Sequence, residues 1–323
     1  MPPSLRSLAR PLSFLCLLLF AAFACDAKAP PVAETEACEA APAAAALPCE
    51  PAAAAATPCN CDGDVAYEWA AEPVDFRAEE RAIFSSAGED GVIEKIFSII
   101  EPTTKYSVEF GAGNGIRASN TRNMIINDGW SSLQIEGDRA RAREMKQNFK
   151  AFPKVTAVEA WIWPGNIEIL FEENGVPRDF DFLVIDIDSN DYYVWRAIQS
   201  FRPKVVMIEV NGKYPPPEKW VIDFHPMNYW DGTGYVGASL QTLTDLGKKK
   251  GYELIYQIEG GGNAFFVDAK YLPLFGIRDN SASAIYSPPS KELVDALLSD
   301  WGPNQEFLTW ENLRIKKNVI THR

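Results

Sequence analysis

The stretch that most limits what this chain can become is residues 106–115, Tyr-Ser-Val-Glu-Phe-Gly-Ala-Gly-Asn-Gly. A short apolar strand runs directly into glycines at positions 111, 113 and 115, and a helical pattern resumes near Ser119. Glycines let the main chain turn through conformations closed to other residues and let a second group approach it closely. Strand and helix patterns alternate on both sides of this turn. Helical spacing of apolar residues predicts helices over 89–100, 119–127, 139–150, 193–200 and 238–250. Strands are expected over 106–110, 131–136, 155–162, 180–187, 204–210, 252–257 and 263–267. The runs at 180–187 and 204–210 are almost wholly apolar, as strands buried on both faces must be. The last two strands are joined by Gly260, Gly261 and Gly262, a link too short for a crossover. The pattern predicts a doubly wound, mostly parallel seven-stranded α/β sheet with a C-terminal antiparallel hairpin.

The first 67 residues are a different material. Arg6 and Arg10 precede an apolar run from Leu12 to Ala24, too short to span a bilayer, where ~20 residues are needed, and suited to a signal-peptide core. Its end, Ala22-Phe23-Ala24-Cys25, reads both as an A-x-A cleavage site and as a lipobox with Cys25 as the lipidated residue. Residues 1–24 are therefore expected to be a signal peptide or lipoprotein signal, giving a membrane-associated, exported protein. Residues 25–67 are expected to be a disordered tether. Between Asp26 and Cys61 there are 15 Ala and 6 Pro in 36 residues, which interrupts any helix and leaves almost nothing to bury. Cys38, Cys49, Cys59 and Cys61 lie there, and no cysteine follows. Residues 68–323 form the expected folded domain. With 31 Lys and Arg against 44 Asp and Glu, the net charge of −13 argues against nucleic acid as a partner. Contact with the membrane is expected through the signal or lipid alone.

The glycine turn carries chemistry. A dinucleotide fingerprint is G-x-G-x-x-G; here the third glycine comes one residue early, and an acid precedes the first. Glu109-Phe-Gly111-Ala-Gly113-Asn114-Gly115 matches instead the E-x-G-x-G-x-G signature of class I S-adenosylmethionine (SAM) methyltransferases. The second strand ends Gln134-Ile-Glu136, placing a carboxylate where the ribose hydroxyls of a bound nucleoside would lie. The order Gly88-Glu89-Asp90, Glu109 to Gly113, Glu136-Gly137 and Asp186-Ile-Asp188-Ser-Asn190-Asp191 resembles FkbM-type and related SAM-dependent methyltransferases over roughly residues 80–270. The resemblance implies O-methylation of a sugar or other small molecule. The family's K-x-D-x-E-G strand end has Val184 and Ser189 in place of its Lys and Gly.

In open α/β sheets, ligands lie at the carboxyl ends of the strands. Asp186, Asp188 and Asp191 end the fourth strand, and Glu209 and Asn211 the fifth. Asp186 is assigned to the cofactor with Glu109, Gly111, Gly113, Asn114, Gly115 and Glu136. Asp188 and His225 are the candidate acid–base residues. Asp186 and Asp188 with Asn211 or Glu209 could also hold Mg²⁺, an oxygen-only site that would orient a diol. Asn190 and Asp191 are candidate helix caps. The long segment 211–237 carries Tyr214, Trp220, Phe224, Tyr229, Trp230 and Tyr235, suited to a carbohydrate or aromatic acceptor and equally to anchoring the loop itself. The readings left open are a SAM-dependent O-methyltransferase and an exported, membrane-tethered binding protein on a degenerate methyltransferase fold. Topology is tested by Cys25→Ser, which is expected to release the protein from membranes without unfolding it. A variant that stays membrane-bound with residues 1–24 attached would make that segment an anchor.

Overall fold

The computed structural model describes residues 67–289. The expected signal, lipid and tether, with Cys25 and the other cysteines, lie outside the described residues. Helix α1 (Glu89–Ile99) precedes strand β1 (Tyr106–Phe110), followed by α2 (Arg122–Asp128), β2 (Ser131–Glu136), α3 (Arg139–Asn148) and β3 (Val155–Glu159). Then come α4 (Ile167–Glu173), β4 (Phe182–Ile185), α5 (Asp191–Ala197), β5 (Val205–Glu209), α6 (Leu240–Lys249), β6 (Tyr252–Gln257), β7 (Asn263–Asp268) and α7 (Ala282–Ile285). The strand order is β3-β2-β1-β4-β5-β7-β6. The first five strands pair in parallel, and β7 enters antiparallel between β5 and β6. The fold is the doubly wound sheet with a closing hairpin that the sequence predicts. Among the described residues no helix is long and apolar enough to cross a membrane.

The central strands are buried on both faces, which gives two cores. On one side Val108, Phe110, Leu133, Leu183 and Ile185 pack with Phe171, Phe180 and Trp195. On the other, Phe182, Val184, Val205 and Met207 pack with Ile93, Ile96 and Phe275. Several elements depart from expectation: β3 ends at Glu159, and α7 has no expected counterpart. Helix α4, after Pro164 and Gly165, is not evident as a helical pattern because Ile167 and Phe171 are its buried residues within only seven positions. Strand β4 is shorter than its apolar run, so Asp186 is the first residue beyond the ladder.

Asp181, fully buried just before β4, fixes the β1–β4 pair at its amino end. Its carboxylate accepts from the Thr103, Thr104 and Lys105 amides at 2.9, 2.7 and 2.7 Å and from the Thr104 hydroxyl at 2.7 Å. Lys204 pairs with it at 3.0 Å. These partners outweigh burial and hold its pKa below the usual value. A lowered carboxylate pKa contributes stability that is present at neutral pH and lost as pH falls below about 4. Asp181→Ala removes the acceptor of these four donors and the counter-charge of the part-buried Lys204, so it is expected to cost about 3–5 kcal/mol at pH 7. Urea denaturation should show that loss shrinking as pH falls below about 4; a change under 1 kcal/mol would refute the clamp.

Candidate functional site

The three glycines of the turn do different work, which their surroundings show directly. All three have positive φ, at +75°, +56° and +71°. A Cβ on Gly111 would stand 1.5 Å from the carbonyl oxygen of Asp186, so β4 can close on β1 only because residue 111 has no side chain. A Cβ on Gly115 would run into the Phe149 ring at 2.3 Å. Above Gly113 nothing lies within 4 Å. The glycine in the middle of the turn faces open space, the other two face protein.

Two carboxylates hold this turn. Glu109, buried at the end of β1, accepts from the Ser119 hydroxyl at 3.0 Å, the Asn120 amide at 2.8 Å and the Thr121 hydroxyl. Both its oxygens are thus engaged with the start of α2, and burial pushes its pKa up against those hydrogen bonds. Its place is behind the glycine turn as a brace. Glu136, at the end of β2, accepts from the Gly113 amide at 2.7 Å and the Asp138 amide at 2.6 Å. A carboxylate has about four acceptor sites, so two remain for other donors beside the open space over Gly113. Asp138 accepts from the Ala140 and Arg141 amides at 2.9 Å and caps α3. Asn114 Oδ1 accepts from the Ile116 and Arg117 amides at 3.0 Å, turning the chain after the loop.

Arg122 is a site residue that the sequence reading missed. Its guanidinium donates to the Gly115 carbonyl at 2.6 Å and lies 5.4–5.9 Å from the rings of Phe84, Phe149 and Phe152. The signal available in the sequence was weak, an arginine opening a helix whose partners come from three distant segments.

At the ends of β4 and β5, Asp186, Asp188 and Glu209 each present a ligand atom within 4.8 Å of the others. Burial, then mutual repulsion, raises the pKa of Asp186 and Glu209 well above the carboxylate range. Burial raises that of Asp188, offset in part by the charge of Arg141. Glu209 Oε2 is buried with no hydrogen-bond partner. Asp188 has φ +56°, a backbone conformation unusual for a residue with a side chain. The tight turn is held by Asp191, whose carboxylate accepts from the Ile187 and Ser189 amides at 2.8 and 2.9 Å. Burial nevertheless raises Asp191 to about 6.

Several expected roles are placed elsewhere. Asn190 and Asp191 do not cap α5: Asn190 makes no cap hydrogen bond, and Asp191 spends its oxygens on the turn before the helix. The Asn211 amide nitrogen donates to the Gly234 and Val236 carbonyls at 3.0 and 2.8 Å, pinning the two ends of the 211–237 strap together. Of the two residues expected to complete the acidic group, Glu209 stands with Asp186 and Asp188. His225 is exposed, and its Nδ1 accepts from the Met227 amide at 3.2 Å. Its carbonyl, however, accepts from Asn190 Nδ2 at 2.9 Å, which brings the strap to the Asp188 turn. Tyr214 stacks on Trp220 at 4.5 Å and anchors the strap's base, while Tyr229 at its tip is 71% exposed.

No protein-family model matches the chain, and no curated protein matches it. Among solved structures it is similar to the CurJ carbon methyltransferase at 10% identity and TM-score 0.37, over 56% of this chain and 52% of that one. The chain thus spans about half the length of that relative. The N-terminal domain of EvdMO1, solved with S-adenosylhomocysteine (SAH) bound, matches at 12% identity and TM-score 0.39, over 57% and 80%. A SAM-dependent methyltransferase from Aquifex aeolicus matches at 11% identity and TM-score 0.33, over 54% and 88%. Likeness at this level adds nothing beyond the topology, which is the seven-stranded, Rossmann-like sheet with its antiparallel closing hairpin.

The carboxylate cluster generates a prediction about stability. A carboxyl whose pKa is raised on folding contributes stability that is present at low pH and lost as pH climbs through the folded value. For Asp191 the loss falls between about pH 4, its ordinary value, and about 6. Glu209→Gln removes one repelling charge without losing a hydrogen bond to Oε2. It is expected to be more stable than wild type by about 1 kcal/mol or more at pH 7.5, one pKa unit being about 1.4 kcal/mol. The gain should shrink by pH 4.5 in urea denaturation without added metal. A variant less stable than wild type at pH 7.5 would contradict the repulsion.

Proposed function

We propose that the protein is a SAM-dependent methyltransferase acting on a hydroxyl of a small molecule or glycoside. The observation that carries this reading is the meeting of Glu136 and Gly113. A carboxylate with unused acceptor sites is fixed at the end of β2, beside a glycine whose missing side chain opens onto free space. That is the chemistry a nucleoside needs, since ribose brings two hydroxyl donors and bulk. Gly111, Gly113, Asn114 and Gly115 shape the cavity, and Glu109 braces it from behind. Asp186 stands where the cofactor and acceptor sides meet.

SAM would supply a methyl group on a sulfonium, a good leaving group. The protein's own part is to hold the acceptor oxygen in line and to take its proton. Asp188, whose pKa burial raises against the pull of Arg141, is suited to take that proton. His225 is the second candidate, on a strap tied to the Asp188 turn. Mg²⁺ fits the same place through Asp186, Asp188 and Glu209. It would relieve their repulsion, satisfy the unpartnered Glu209 oxygen and orient neighbouring hydroxyls.

The head of the sequence favours a second reading. SAM is made in the cytoplasm, whereas a lipidated Cys25 and an Ala/Pro tether suit an exported, membrane-associated body. On that reading the chain is a tethered binding protein on a degenerate methyltransferase fold.

Calorimetry with SAM and SAH decides between them. Hydrogen bonds to a charged group contribute roughly 1.5–3 kcal/mol. Glu136→Ala is therefore expected to weaken binding by about 10- to 150-fold. Gly113→Val should abolish binding by filling the open space. Asp188→Asn should spare it, and should abolish any rise in melting temperature that Mg²⁺ gives the wild type. If wild type binds neither nucleoside at millimolar concentration, the methyltransferase reading fails and the binding protein replaces it. If Mg²⁺ leaves the wild-type melting temperature unchanged, the metal is dropped.

A further inference from the structure

We propose that one hydrogen bond, from Trp161 to the carbonyl of Pro226, latches the 211–237 strap over the nucleoside end of the cleft and gates its ligand. The inference rests on the reading above for the identity of that ligand.

The strap leaves β5 and returns to α6, and its path between is set by a few anchors. Its base is fixed by Asn211, by the bridge between Val221 and Ala238, and by Tyr193, whose hydroxyl donates to the Ile222 carbonyl at 2.9 Å. Its tip hangs on the β4 turn, where Asn190 Nδ2 reaches the His225 carbonyl at 2.9 Å and Ser189 Oγ the Asn228 carbonyl at 3.2 Å. Next along the chain, the Pro226 carbonyl accepts from Trp161 Nε1 at 2.8 Å. Trp161 follows β3, and its ring lies against Gly137, where a Cβ would come within 2.7 Å of it.

The strand order turns these contacts into an arch. In the sheet β1 lies between β4 and β2, so β4 and β2 stand about 10 Å apart, at ~4.8 Å per spacing. One pier is the β4 turn at Asn190; the other is Gly137, just past the end of β2. The tip and the indole meet between them, across the end of β1. The glycine turn and Glu136 belong to the ends of β1 and β2, between the same two piers. A nucleoside held by Glu136 and lying over Gly113 sits under this arch and exchanges only when it opens.

The arch is weak on one side. Around the latch the tip is exposed, with Met227 at 61%, Tyr229 at 71% and Trp161 itself at 39%. Segments with few buried contacts open locally at small cost, as ligand-covering lids do. A single neutral hydrogen bond accounts for roughly a tenfold shift in such an opening equilibrium.

The test is Trp161→Phe, which keeps an aromatic ring on Gly137 and removes the donor. Trp163→Phe is the matched control, since Trp163 is also half-exposed, packs against Gly165 and makes no hydrogen bond to the strap. Hydrogen exchange of the amides at 224–230 in the ligand-free protein should rise about tenfold in Trp161→Phe and stay unchanged in Trp163→Phe. Stopped-flow measurements with SAH should show association and dissociation both faster by about tenfold in Trp161→Phe, with Kd within twofold of wild type. Unchanged exchange in Trp161→Phe overturns the latch. Faster exchange with unchanged SAH rates overturns the gate, leaving a mere anchor. Faster dissociation alone, with a weaker Kd, makes Trp161 a wall of the cleft instead. A wild type that binds no SAH overturns the methyltransferase reading and the gate with it, while the exchange data still decide whether the tip is latched.

Discussion

The geometry of the site depends on a buried carboxylate, Glu109. It sits at the carboxyl end of β1 and gathers the first residues of the next helix onto the end of the strand. A buried acid is costly unless its oxygens are satisfied. Here three donors from Ser119, Asn120 and Thr121 satisfy it, and in doing so they fix where the glycine turn must come back. The turn then has little freedom. Gly111 is pressed against the Asp186 carbonyl, Gly115 against Phe149, and the Gly113 amide is taken by Glu136. Open space over Gly113 is what remains once the neighbouring positions are taken by protein.

That arrangement explains which parts of the molecule could be read from its residues. Strands β4 and β5 were legible because burial on both faces leaves no polar residue in them before Glu209 to blur the pattern. The glycine turn was legible because its constraint is local: positive φ and close approach select glycine wherever they occur. The division of labour among the three glycines was not, because it depends on Phe149 and Asp186, which come from other strands and helices. The same holds for Arg122. Its aromatic surroundings are assembled from residues 84, 149 and 152, and no spacing in the chain announces them.

The acids at the ends of β4 and β5 were visible as a cluster, but their individual uses were not. Asp191 looked like a helix cap, a role set by its position just before the α5 helical pattern. It instead buttresses a turn in which Asp188 adopts a left-handed conformation. Asn211 also ends β5, and its amide nitrogen ties the strap by donating to the Gly234 and Val236 carbonyls. Glu209, two residues earlier and unpartnered, is left facing Asp186 and Asp188.

Strands β1 and β4 are fastened at both ends, by Asp181 before them and by the seating of Gly111 on Asp186 after them. The pair therefore behaves as a stator. Whatever the strap does, Asp186 and the glycine turn keep their spacing, and any displacement is confined to the side carrying Trp161 and Pro226. Heat, denaturant or a bulky ligand should disturb that outer margin well before it disturbs the spacing across the β1–β4 seam.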